Sequence, residues 1–207
     1  MTFSRLRRVA LVLVAALALG GCGVPGKGDP GVVATYRDRV ITDRDITAVY
    51  NALDDLCAHP HAGEDLTLLL LGPEVVAIAD ELGLGMTDEQ LLDVSDLWIA
   101  YWSQGRSGCT VTADAVEVVR IVEAINLLMH DADGVTALFG LVQDIEAYAT
   151  ISPRYGDFTL ESFTESVHAI SAFIEENELM LSAAQFSAWK DVNGFDMADQ
   201  PDWISGG

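Results

Sequence analysis

Basic side chains are scarce in this chain, and that scarcity excludes whole classes of partner. Lys and Arg number 11 against 32 Asp and Glu, a formal net charge of −21 at pH 7. A surface of that sign repels polyanions, which argues against nucleic acid and against flat adsorption on anionic lipid. Long apolar runs are missing too. The stretch from Val9 to Leu19 and the "LTLLLLG" beginning at Leu66 both fall short of the roughly 20 residues a membrane span needs. The sequence also lacks a Gly-x-Ser-x-Gly elbow, a phosphate-binding loop and a His-Glu-x-x-His pair. Adjacent acids such as Asp54/Asp55 and Glu175/Glu176 read as a solvated face in so acidic a chain rather than as a catalytic pair. His130 and His168 sit at helix positions with nothing to pair them. No enzymatic activity and no cofactor are expected.

What is present begins at the N-terminus. Arg5, Arg7 and Arg8 precede the apolar run, and Leu19-Gly20-Gly21-Cys22 closes it. This pattern resembles the bacterial lipobox, in which the cysteine is acylated and the chain is cut just before it. Small residues at Gly20 and Gly21 leave room for a peptidase beside a bulky lipidated thiol. The alternative is an ordinary cleaved signal with a chance cysteine. On the lipobox reading, residues 1–21 are a signal peptide, Cys22 carries the lipid, and residues 22–31, rich in Gly and Pro, are a flexible tether. Residues 32–207 are then one domain on the extracytoplasmic face of a membrane, anchored by acyl chains worth about 0.8 kcal/mol per buried CH₂.

Only two of the three cysteines, Cys57 and Cys109, lie beyond the lipobox. Export places them in an oxidising compartment, so a disulfide is the economical reading. "LCAHPHAG" sets His59 and His61 beside the first of them. A Cys57/His59/His61/Cys109 metal site is therefore the rival, although such sites usually pair ligands at short spacing on both sides.

The pattern of apolar residues predicts a mainly helical domain with one small β element. "VVATYRDRVITDRDI" reads as strand, turn at Arg37-Asp38-Arg39, strand, and a helix opened by Thr42 and Asp45 as a capping box. That helix has Ile46, Val49, Tyr50 and Leu53 on one face and ends near Cys57. A second segment runs from Leu66 to Leu82 and stops at Gly83 and Gly85. A third opens at "TDEQ", another capping box, and carries Leu91, Leu92, Trp98, Ile99 and Trp102. The fourth, capped by Thr112, has a stripe of Val118, Ile121, Val122, Ile125, Leu128 and Met129. A break at Asp133-Gly134 precedes a fifth. A sixth is capped by Ser162 and Glu165, with Phe163, Val167, Ile170 and Ile174 inward, and "SAAQFSAWKDV" forms a last short one. No solenoid repeat is present.

Between the fifth and sixth helices stands "ISPRYGDF". Pro153 pushes Ser152 into an extended conformation and Gly156 permits a sharp exit. The segment is expected to be an edge strand pairing with the N-terminal hairpin. Arg154 and Tyr155 would then point to opposite sides, with Arg154 in a structural salt bridge.

The strand–turn–strand–Thr–helix opening, the "LLLLGPEVVAIADELGLGMTDEQL" helix pair and the late Pro153-Arg154-Tyr155-Gly156 together resemble the SurA N-terminal-like domains of actinobacterial envelope lipoproteins. The likeness covers roughly residues 32–158, with Asp38 where the pattern has glycine and Ser152 where it often has asparagine. Those domains are related to the chaperone half of SurA-type and PrsA-type foldases. The resemblance implies a helical module that cradles unfolded or exported polypeptides. No segment resembles the parvulin domain that performs proline isomerisation in the foldases, so isomerase activity is not implied. The alternatives are a small-ligand or metal-binding envelope lipoprotein using His59 and His61, and a structural envelope component.

Overall fold

A computed structural model describes residues 31–58, 62–103, 107–176 and 188–195. It is mainly helical, with one three-stranded antiparallel sheet among the described residues. The signal segment, Cys22 and the tether lie outside those residues, as do His59 and His61.

Strands β1 (Val32–Tyr36) and β2 (Arg39–Thr42) form the expected hairpin. The left-handed conformation at its tip falls on Arg37, with φ 54°, and not on Asp38, so position 38 has no need of glycine. The register shifts between Val32 and Ala34, and Val33 and Ala34 both end up buried in succession. A two-residue strand, β3 (Thr150–Ile151), pairs antiparallel with the other side of β1, giving the order β2-β1-β3.

Helix α1 (Asp43–Asp55) begins where the Asp45 carboxylate accepts the Thr42 backbone N–H at 2.8 Å. It buries Ile46, Val49, Ala52 and Leu53, whereas Tyr50 is 44% exposed. The expected inward place of Tyr50 goes to Ala52, which is buried. Helix α2 (Ala62–Glu81) is central, packing against α1 and two later helices. It is buried over most of its surface, which explains its continuous Leu and Val content. It ends in a Schellman motif: Gly83 has φ 72°, its N–H reaches the Asp80 carbonyl, and the Leu84 N–H reaches the Ala79 carbonyl.

Pro73 lies inside α2, where it removes the N–H that would bond the Leu69 carbonyl. The β2 residue Arg39 fills this gap, donating to the carbonyls of Leu69 and Leu70, each at 2.8 Å. It also donates to Glu74 at 2.7 Å. One guanidinium thus replaces the missing helical donor and fastens the hairpin to the helix.

Helix α3 (Asp88–Trp102) opens with the predicted Thr87/Gln90 box and buries Leu91, Ser95 and Trp98, while Leu92 faces water. Helix α4 (Ala113–Met129) is capped by Thr112, whose hydroxyl accepts the Ala115 N–H at 3.2 Å. The break before α5 (Ala132–Tyr148) falls at His130-Asp131 and not at Asp133-Gly134. Asp131 is the cap, accepting the Gly134 N–H at 2.8 Å. Gly134 lies in the first turn, where a Cβ would sit 2.6 Å from the Leu128 carbonyl oxygen, so glycine is required there.

Helix α6 (Leu160–Glu176) is capped by Thr159 and not by Ser162 and Glu165; the Thr159 hydroxyl accepts the Ser162 N–H at 3.1 Å. Phe163, Val167 and Ile170 are buried, as expected. The last predicted helix is, where described, a short 3₁₀ turn (Trp189–Asp191) packed against α2, α4 and α6. The stretch from residue 182 to residue 187 lies outside the described residues.

Cys57 and Cys109 form a disulfide, with Cα atoms 5.5 Å apart. It joins the end of α1 to the segment leading into α4. Beside it, Asp55 accepts from the Thr110 N–H through its carbonyl, and from the Thr112 hydroxyl through its carboxylate.

Candidate functional site

The Pro-Arg-Tyr-Gly segment is not a strand. The ladder to β1 ends with the Ser152 N–H on the Val33 carbonyl at 2.8 Å, and Pro153–Tyr155 then turns as one 3₁₀ turn. Proline suits the first position of such a turn, where its missing N–H is not needed. Ser152 is extended, with ψ 130°, and Gly156 has φ 76°, both as the sequence requires. In a tight turn, neighbouring side chains do not alternate between faces, so the expected divergence of Arg154 and Tyr155 does not occur. The Arg154 guanidinium lies 5.1 Å from the centroid of the Tyr155 ring and pairs with Asp43 at the start of α1. Tyr155 is 3% exposed, and burial raises the pKa of its hydroxyl.

Beyond Gly156 the chain runs extended. Phe158 bridges to Phe195, and the Thr159 N–H donates to the Gly194 carbonyl at 2.8 Å. Phe195 packs edge-on against Phe158, with centroids 5.4 Å apart, and tilted against Tyr155 at 6.4 Å. Gly194 is required here, since a Cβ would stand 2.1 Å from the Phe158 ring.

Two concavities meet at this corner and share Asp157 and Thr159. The larger, about 540 Å³, is lined by Pro153, Gly156, Asp157, Thr159, Glu161, Ser162 and Glu165. The smaller, about 250 Å³, is lined by Ile145, Glu146, Ala149, Ile151 and the run from Asp157 to Thr159. The smaller concavity carries a small apolar patch, formed by half-buried Ala149 and Ile151 over the buried Ile145 and Phe158, and four carboxylates, Glu146, Asp157, Glu161 and Glu165, supply the charge. Among the described residues, no Lys or Arg lines either concavity. Such a site favours a partner that offers both apolar surface and positive charge.

A second group of acids is buried elsewhere. Glu64 and Asp65, in the first turn of α2, are buried, and neither Asp65 carboxylate oxygen has a hydrogen-bond partner. Burial pushes the Asp65 pKa up to about 7, with Lys190 opposing the shift. Glu64 is raised too, chiefly by burial, then by Asp191. Lys190 is only 4% exposed, pairs with Asp191 and sits 4.9 Å from the centroid of the Trp102 ring. Above this group the Thr67 hydroxyl accepts the Gly194 N–H at 3.0 Å. A third buried acid, Glu123, accepts from Asn126 at 3.2 Å, and burial raises its pKa to about 7. Sequence reasoning missed all three. The available signal was position: Glu123 and Asn126 share the buried stripe of α4 with Val119 and Val122.

The acid pairs named from sequence behave differently. Asp54, Glu175 and Glu176 are exposed, while Asp55 is half-buried and hydrogen-bonded. At the hairpin, Asp144 accepts from the Tyr36 hydroxyl at 2.5 Å and from Arg37 at 2.9 Å, which holds its carboxyl below the usual range. His130 and His168 are exposed, and His130 Nδ1 lies 2.8 Å from the Asn126 carbonyl oxygen. Among the described residues, no group of three or more His, Cys, Asp or Glu is placed to hold a metal ion.

No family model, no curated protein and no solved structure matches the chain.

Proposed function

We propose that this chain is a lipid-tethered extracytoplasmic protein that binds exported polypeptides in a chaperone-like way, without isomerase or other chemistry. The observation that carries the reading is the double concavity at the Pro-Arg-Tyr-Gly corner, where an apolar patch at Ala149 and Ile151 adjoins four carboxylates. Unfolded segments expose apolar side chains together with basic ones. Removing that apolar surface from water favours capture by about 25 cal/mol per Å². The carboxylates speed encounter and select for positive charge. The resemblance of the opening hairpin, the helix pair and Pro153-Arg154-Tyr155-Gly156 to SurA N-terminal-like domains supports the same reading from sequence.

The metal-binding rival has lost two of its four ligands, because the sulfurs of Cys57 and Cys109 bond each other. A disulfide offers no thiolate.

The test uses a reduced, aggregation-prone basic protein diluted from denaturant. Light scattering should fall when this protein is added in excess, and the suppression should weaken with salt. Unchanged scattering, together with no binding to the labelled unfolded client, refutes the reading. For the tether, mass spectrometry of the processed protein should find a diacylglyceryl-modified N-terminal Cys22, and an unmodified end elsewhere refutes that part.

A further inference from the structure

In an antiparallel ladder, opposed residues alternate between pairs that exchange hydrogen bonds and pairs whose N–H and C=O groups point away from each other. The Ser152 N–H bonds the Val33 carbonyl. Opposite the next position along β1, Ala34, stands Ile151. Ile151 therefore belongs to a pair of the second kind, and its backbone N–H and C=O face away from β1. Among the described residues no further strand lies on that side, since β3 is terminal in the order β2-β1-β3. Among the described residues, no group accepts from the Ile151 N–H or donates to its carbonyl.

This unpaired edge opens into the smaller concavity. Half-buried Ala149 and Ile151 give that cleft its apolar surface, over the buried Ile145 and Phe158, and Glu146 and Asp157 give it negative charge. Native sheets usually blunt an open edge with lysine or proline, or cover it. Here proline comes two residues later, at Pro153, and leaves Ile151 itself open.

Resting on the polypeptide-binding reading, we propose that the outer edge of β3 receives an extended client segment as a fourth strand. The donor and acceptor of Ile151 pair with the client backbone. Alternate client side chains lie on the Ala149 and Ile151 patch and reach the carboxylates. The partner's chemistry is thereby specified as an extended segment in which apolar residues alternate with Lys or Arg. A second copy of this chain is a poor occupant, because at −21 it would bring more negative charge to a negative cleft.

The test measures fluorescence anisotropy of a short labelled peptide of alternating Val and Lys, on the disulfide-intact full domain. Binding should weaken about tenfold or more when the peptide backbone is N-methylated at alternate residues, which removes its donors while keeping its side chains. Ile151→Pro, which removes the edge donor, should weaken the unmodified peptide to a similar extent with the helical circular dichroism retained. Glu146→Gln combined with Asp157→Asn should flatten the salt dependence. In hydrogen exchange, the Ile151 amide should slow on addition of peptide. Where Ile151→Pro does not fold, the N-methylated peptide and the exchange measurement decide the matter on the unaltered protein. If the protein holds unfolded clients but N-methylation leaves peptide affinity unchanged and the Ile151 amide exchanges at its free rate, the strand-addition site is refuted and the polypeptide-binding reading stands. If the protein holds neither peptide nor unfolded client, the reading itself falls.

Discussion

Arg39 and Pro73 should be energetically coupled, and the coupling can be worked out from their geometry. Arg39→Ala removes donors from two helix carbonyls and from Glu74. A hydrogen bond to a charged group contributes about 1.5–3 kcal/mol when sheltered. The Arg39 side chain is 24% exposed, so water replaces part of what is lost. A net destabilisation of about 3 kcal/mol is expected. Pro73→Ala restores the N–H that closes the Leu69 carbonyl within the helix, so one of the donors supplied by Arg39 becomes redundant. In that background Arg39→Ala should cost about 1–2 kcal/mol less, a coupling typical of residues that share a hydrogen-bond network. Arg39→Lys should recover only part of the loss, because an ammonium does not span two carbonyls and a carboxylate with a fixed fork. Urea unfolding followed by circular dichroism provides the four free energies, with the slope checked for constancy. Strict additivity, within about 0.5 kcal/mol, would refute the claim that Arg39 serves the proline gap.

Stability should fall as pH rises from about 4 to about 7. Burial raises Asp65 and Glu123 to about 7, and Glu64 moves the same way. The native state therefore holds protons that the unfolded chain releases near pH 4. This contribution is fully present below pH 4, falls by about 1.4 kcal/mol per pH unit for each group between pH 4 and 7, and is gone above 7. Urea midpoints should be higher at pH 5 than at pH 8, and Asp65→Asn should reduce the difference; a midpoint that climbs with pH contradicts it. Reduction of the Cys57–Cys109 bridge, which closes a sequence separation of 52, should cost about 4 kcal/mol by loop entropy. Non-reducing peptide mapping checks the linkage, and melting with and without reductant checks the cost. Tyr155→Ala should destabilise by about 3 kcal/mol or more, whereas Arg154→Gln, which loses a half-exposed pair with Asp43, should cost about 1 kcal/mol or less. Client binding should follow stability in both variants. An Arg154→Gln protein with an unchanged melting curve and no client binding would make Arg154 a recognition residue instead.

The features legible in the sequence were those whose physics closes within a few residues. Thr42 with Asp45, Thr87 with Gln90, the Thr112 cap and the Gly83 stop each satisfy backbone groups within one turn, so the chain carries them wherever it goes. The apolar stripe of α4 and the extended Ser152 before Pro153 are local in the same sense. Burial and pairing were decided by distant elements. Arg39 looked like an ordinary turn residue until its distance from the Leu69 and Leu70 carbonyls, one of them left open by Pro73, was known. Tyr50 yielded its inward place to Ala52 because the face of α1 that meets α2 and α4 is set by those helices. Asp65 looked like one more surface acid until α2 took the centre of the fold and the Trp189–Asp191 turn packed against it. The Pro-Arg-Tyr-Gly turn announced a corner, but its 3₁₀ form followed from where the β1 ladder ends. The open edge at Ile151 depends on hydrogen-bond parity, which is a property of the Ala34–Ile151 register. A single residue of slip would turn those backbone groups inward, and no local preference of Thr150 or Ile151 selects between the two arrangements.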